Sequence, residues 1–420
     1  MSVLIKQARI ICQGSPYNEQ SKDILIEDGL IKAIGNNIES AASYVINQPG
    51  VCISLGWTDI FAHFTDPGLE YRETIASGAA AAAAGGFTDV LVLPNTNPTM
   101  HNKSQVGYVV QKATGLSVII YPIGAVTKNA EGKELSEMYD MRQAGALAFS
   151  DGINAIQSPG ILLKALQYIK AFDGTVLQLP DDKSIAAQGL INEGIISTQL
   201  GLPGKPALAE ELMIARDIEL LRYTNSRLHI TGISTQKSID LVVKAKAEGL
   251  HLTCSVTPLH LCFCDEDLTT YDTNLKLNPP LRTAADRDAL RKAVQGGWVD
   301  CIASHHSPQH SDAKDCEFEY AAYGATALQT VFAAALSAGV SIQQFVQMQT
   351  VGARAAVGLP QQAIQEGAAA CLTLFDPSAP FELNDSTNCS LSKNSPFYNK
   401  TLQGRVLGII NGKKQTLYAQ

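Results

Sequence analysis

Short apolar runs recur along the chain at regular intervals, separated by stretches in which apolar residues return at helical spacing. The runs lie near 57–63, 88–94, 117–126, 146–151, 175–180, 227–234, 250–258 and 300–307. Helix-period segments occupy 207–223, 235–248, 284–295 and 323–338, and the alanine run Ala79–Ala84 is a strong helix former that stops at Gly85-Gly86. Eight short strands, each followed by a helix, predict an α/β chain whose residues 53–360 close into a (β/α)8 TIM barrel. Chemistry in such a barrel sits where the strands end.

Both ends of the chain carry a different pattern. Leu4–Cys12 is apolar and β-branched, and Asp23–Gly35 alternates about a turn at Asp28-Gly29. Ala370–Asp376 and Gly404–Gly412 repeat that character, so residues 1–52 and 361–420 are expected to build one small β-domain together.

Composition narrows the picture. With 420 residues, 45% hydrophobic and 17% charged, the chain can bury a large core and reads as soluble. A net charge of −8 argues against nucleic acid or an anionic membrane as partner, and no apolar run is long enough to span a bilayer. Nine cysteines without a paired framework suit reduced thiols in a cytoplasm. Cys262-Phe-Cys264 has no second pair at zinc-finger spacing, so no structural metal is expected there.

The segment Asp59-Ile-Phe-Ala-His-Phe-Thr-Asp-Pro-Gly68 ends the first predicted strand. It resembles the Asp-x-His-x-His-x-Arg-x-Pro-Gly run of the cyclic amidohydrolases, above all the dihydroorotases. Gly85–Pro98, Gly201–Glu210, Asn274–Arg282 and Ser392–Phe397 look like further blocks of the same family. The resemblance spans nearly the whole chain. It implies an amidohydrolase barrel with a small β-domain, and hydrolysis of a cyclic amide at one or two zinc ions in pyrimidine biosynthesis. In such a centre the metal lowers the pKa of bound water. An aspartate after the eighth strand moves the proton, and an arginine clamps the substrate carboxylate.

Position by position, the chain departs from that pattern. Phe61 stands where the first metal-binding histidine belongs, His63 fills the second place, and Thr65 replaces the arginine. Phe149-Ser-Asp-Gly152 retains one acid, Asp151; Gln178 and Gly232 occupy two more ligand positions. Thr257-Pro-Leu-His-Leu261 and His305-His-Ser-Pro-Gln309 are altered as well, with His305 in place of the proton-shuttling aspartate and Gln309 in place of a histidine. Asn95 and Asn278 fall on substrate-contacting positions. Strand parity would send one of His305 and His306 into the mouth and the other outward, and would put His229 on the outer face. Asp181-Asp182 reads as a solvated loop, while His101, His251 and His260 belong to no constellation.

These departures lead to an expectation of a non-catalytic homologue, without cofactor, acting through assembly. The resemblance implies aspartate transcarbamoylase as partner, and a homodimer. The alternative is an active dihydroorotase or related cyclic amidohydrolase with a reduced, mononuclear zinc site built from His63, Asp151 and His305.

Overall fold

The computed structural model describes residues 2–418. Eight parallel strands form the barrel: Trp57–Ala62, Phe87–Val92, Ile119–Gly124, Ala148–Phe149, Val176–Gln178, Leu228–Ile230, Leu252–Val256 and Cys301–Ile302, called strands one to eight below. Each pairs with its sequence neighbour, and the ring is closed by a parallel bridge between Ala62 and His306, where the His63 N–H donates to the His306 carbonyl at 2.8 Å. Alternate residues separate two apolar layers. Val90 and Val176 pack with the helix residues Val106, Leu162 and Leu221, whereas Leu91, Ile123, Leu177 and Cys301 pack within the ring.

The helix-period segments form helices over Leu208–Thr224, Gln236–Ala247 and Ala284–Gln295. The alanine run lies in the helix Ile75–Ala84, which starts at a capping box between Thr74 and Ser77. The predicted helix over 323–338 is corrected: it begins at Val331 after a single 3-10 turn. Ala325 instead pairs with His306, which draws the preceding residues to the barrel rim.

The chain ends fold together. Lys414–Leu417, Thr401–Asn411, Cys371–Glu382, Cys52–Leu55, Ser2–Ile10, Ser21–Glu27 and Leu30–Gly35 follow one another in a mixed sheet, with Tyr44–Ile46 beside Ser2–Ile10. This sheet is seated on the barrel through Trp57, whose ring lies 5.4 Å from Phe375 of the sheet, 5.2 Å from Phe332 and 4.9 Å from Phe345. Among the described residues no helix is long and apolar enough to cross a membrane.

Candidate active site

A cavity of ≈ 420 Å³ opens at the carboxyl ends of the barrel strands, within the range of small-molecule sites. Phe61, Leu93, Leu179 and Leu277 make its apolar wall, and Asp181, Lys205, His260, Asn278, His305 and Gln309 supply polar groups.

Phe61, Gly232 and His305 form one packed unit. The Phe61 and His305 rings stack at 4.4 Å with 28° between their planes. A Cβ on Gly232 would lie 2.8 Å from His305 Cε1, so the imidazole occupies the space that a side chain at 232 would need. His305 has a left-handed backbone, φ 46°, and its Nε2 bonds Thr231 Oγ1 at 2.7 Å. From Thr231 the hydrogen bonds continue to Ser255 and then to His229. His229 is therefore inside the barrel, contrary to the parity expectation. Strand six ends at Ile230 and the chain turns at Gly232, φ 70°, so counting by twos from 232 does not carry back. His305 and His306 do divide as parity expects: the His305 ring stacks on Phe61 in the mouth, while the His306 ring turns outward, its Nε2 3.4 Å from Glu73 Oε2 and its Nδ1 accepting from the Ala327 N–H at 3.1 Å.

The remaining predicted residues are committed elsewhere. His63 Nε2 bonds the Asn95 carbonyl at 2.7 Å. Asp151 accepts from the Thr127 N–H at 2.8 Å and from its hydroxyl at 2.5 Å. Gln178 bonds both backbone groups of Ile156. Asn95 does not line the cavity: its amide ties the loop after strand four, donating to Asp151 O and accepting from Ile153 N, each at 3.0 Å. Thr65 is turned away too, its hydroxyl donating to the carbonyls of Leu69 and Glu73 within the following turn. Asn278 does face the cavity.

Burial sets the protonation states. It pushes His63 and His260 down to about 4 and His305 to about 3, so all three are neutral at pH 7, and it lifts Asp151 to about 6. A base that weak is a poor proton shuttle at neutral pH, which counts against His305 in the role of the aspartate it replaces.

These donors do not fit a zinc centre. Three or four nitrogen, sulfur or carboxylate ligands must converge on one point. Here a phenylalanine, a glutamine and a glycine hold three of the places, and both Asp151 oxygens are occupied by Thr127. Among the described residues no three His, Cys, Asp or Glu side chains are grouped to hold an ion, so His63, Asp151 and His305 are not brought together as the mononuclear reading requires.

A different polar group does converge. Lys205 Nζ donates to Asp181 Oδ2 at 2.7 Å and to Asn278 Oδ1 at 2.9 Å. Asp181 is thus a buried partner, and the expectation of a solvated loop is corrected. Lys205 is fixed by a parallel pair of short strands, Ile191–Asn192 and Gly204–Lys205. Its carbonyl accepts from Arg282 Nη1 at 2.9 Å, and Arg282 also bonds Asn192 and Ser234. Two buried acceptors in the cavity wall, Asp181 Oδ1 and Gln309 Oε1, have no partner within the protein. Such orphans are uncommon in folded proteins and mark places where a ligand donor is missing. In the sequence this group shows itself only as a lysine inside the largely apolar Gly201–Glu210 block.

The sequence model of the Dihydro-orotase-like family matches residues 50–238. A protein named dihydroorotase from Pelotomaculum thermopropionicum is 39% identical over 412 residues, covering 96% of each chain. Another so named, from Ruminiclostridium cellulolyticum, is 38% identical over 96% of each. Among solved structures, an L-hydantoinase (dihydropyrimidinase) from Arthrobacter aurescens superposes with a TM-score of 0.85 at 21% identity, covering 100% of this chain and 97% of its own. The end-to-end relatives overturn the expectation of a non-catalytic scaffold. Substitutions at ligand positions, taken alone, imply loss of activity, yet similarity to chains named dihydroorotase runs through the barrel and the terminal sheet alike.

Proposed function

Because the chain belongs to the dihydroorotase family, we propose that it hydrolyses, and in reverse closes, the ring amide C–N bond of dihydroorotate in the mouth of the barrel. The observation that carries this reading is the 39% identity maintained over 96% of both chains with a protein named dihydroorotase. The cavity supports it, since it holds a buried carboxylate with an unpaired oxygen beside a buried ammonium.

In this reading Asp181 Oδ1 accepts a proton from the water whose oxygen attacks the ring carbonyl carbon. The C–N bond then breaks, and the proton passes to the departing nitrogen. Lys205 keeps Asp181 oriented through its other oxygen. No step is assigned to zinc, because the donor set does not fit it. A cytoplasmic location, a homodimer and contact with an aspartate transcarbamoylase belong to the same proposal, the last two tested by the mass of the assembly in solution.

The experiment is a turnover assay with dihydroorotate and with carbamoyl aspartate, each with and without added zinc. Ring opening and closure are expected, and Asp181→Asn should lower kcat by about 100-fold or more, the usual share of a general base. No turnover in either direction by folded protein would overturn the proposal. Elemental analysis should find well under one zinc per chain.

A further inference from the structure

Resting on that reading of the site, we propose that Lys205 is its anion-binding residue: its remaining ammonium proton holds a carboxylate of the ligand, while Gln309 Oε1 accepts an N–H from the same molecule. An ammonium has three donors and no acceptor. Asp181 and Asn278 take two of the three, and the residue lines the cavity. The place where the family resemblance put an arginine cannot serve, because the Thr65 hydroxyl is spent on carbonyls of its own turn. Anion recognition has therefore moved across the mouth, from the end of strand one to the loop that carries Gly204-Lys205.

The surroundings agree. Arg72 and Lys183 also line the cavity, so three cationic side chains face one carboxylate in a chain of net charge −8. On the opposite side of the chemistry, Gln309 already donates its Nε2 to the Tyr323 carbonyl at 2.9 Å. That bond fixes the amide orientation and leaves its buried oxygen without a donor in a residue of the cavity wall. One charged donor and one fixed acceptor match a ring or ureido acid that carries both a carboxylate and amide N–H groups. They do not match an uncharged ring equally well. If Lys205 served only to neutralise Asp181, the two would be indistinguishable.

The test is calorimetric titration of the full chain with dihydroorotate and with dihydrouracil, the same ring without the carboxylate. Dihydroorotate should bind about 10-fold or more tightly than dihydrouracil, and Lys205→Met should erase the difference by weakening dihydroorotate alone, by about 10- to 100-fold. Gln309→Met should weaken both. Where Lys205→Met leaves Asp181 uncompensated and fails to fold, Lys205→Met combined with Asp181→Asn carries the same comparison. Equal binding of the two rings by the unmodified chain, or equal losses for both in the folded variant, overturns the proposal. Carbamoyl aspartate formed during the titration is quantified and its heat subtracted, so the two proposals fail separately. Discrimination without hydrolysis defeats the hydrolase reading alone, and hydrolysis without discrimination defeats the lysine clamp alone.

Discussion

A methyl group at position 232 would meet two obstacles: the His305 ring at 2.8 Å and a backbone at φ 70° that L side chains rarely adopt. Gly232→Ala should therefore destabilise the protein by about 1–3 kcal/mol in denaturant unfolding. Combining it with His305→Ala should recover the part due to contact and leave the backbone part. Equal losses in both backgrounds would show that the ring is not what fills the space. At this scale the sequence was legible one position at a time. Phe61, Gly232 and His305 read as three independent departures because they belong to the ends of strands one, six and eight, and nothing in their spacing reveals that they touch. Lys205 stayed silent for the converse reason: a lysine in a loop is ordinarily solvated, and only the fold shows its ammonium facing Asp181 and Asn278.

Between elements, the decisive contacts are aromatic. Trp57 opens strand one and is enclosed by Phe87, Phe332, Phe345 and Phe375, so one side chain joins strand, helix and β-domain. Trp57→Ala should cost about 3–5 kcal/mol, with a lower melting temperature and earlier amide exchange in Cys371–Glu382 as well as in strand one. Loss confined to the barrel would mean that the sheet is held by other contacts, such as the Thr373 hydroxyl on the Gly86 carbonyl at 2.7 Å. The strands and most helices were readable from periodicity because their apolar layers repeat every two or every 3.6 residues. The segment 323–330 was not, since its alternating small residues suit a helix, and a bridge to His306 overrides that preference. The parity argument failed for His229, where the strand stops after three residues, and held for the His305-His306 pair.

Taken as a whole, the molecule buries more imidazole than water would leave neutral in acid. Burial holds His229 near 3 and His260 near 4, below the ordinary 6.5. Their contribution to stability is complete above pH 6.5 and is lost as pH falls toward those values. Asp217 works the other way: burial raises it to about 6, so its contribution is complete below about 3.8 and disappears as pH rises through 6. His63 and His305 behave like His229 and His260, and Asp151 like Asp217, so four groups against two leave an excess of about two protons taken up on unfolding between pH 6 and 4. Stability should then fall by about 2.7 kcal/mol for each pH unit of acidification across that window. Denaturant titrations at half-unit steps would check the slope, and a flat profile would mean that these rings are protonated in the native state.

The sheet made from both termini has a temporal side. Ser2–Ile10 is synthesised long before Cys371–Glu382 and Thr401–Asn411, but its link to them runs through Cys52–Leu55 and waits for the last eighth of these 420 residues. At ordinary synthesis rates that delay lasts roughly 20–80 s. Throughout it an unpaired strand edge stands open to other nascent chains. The protein should depend on chaperones more than its finished stability suggests.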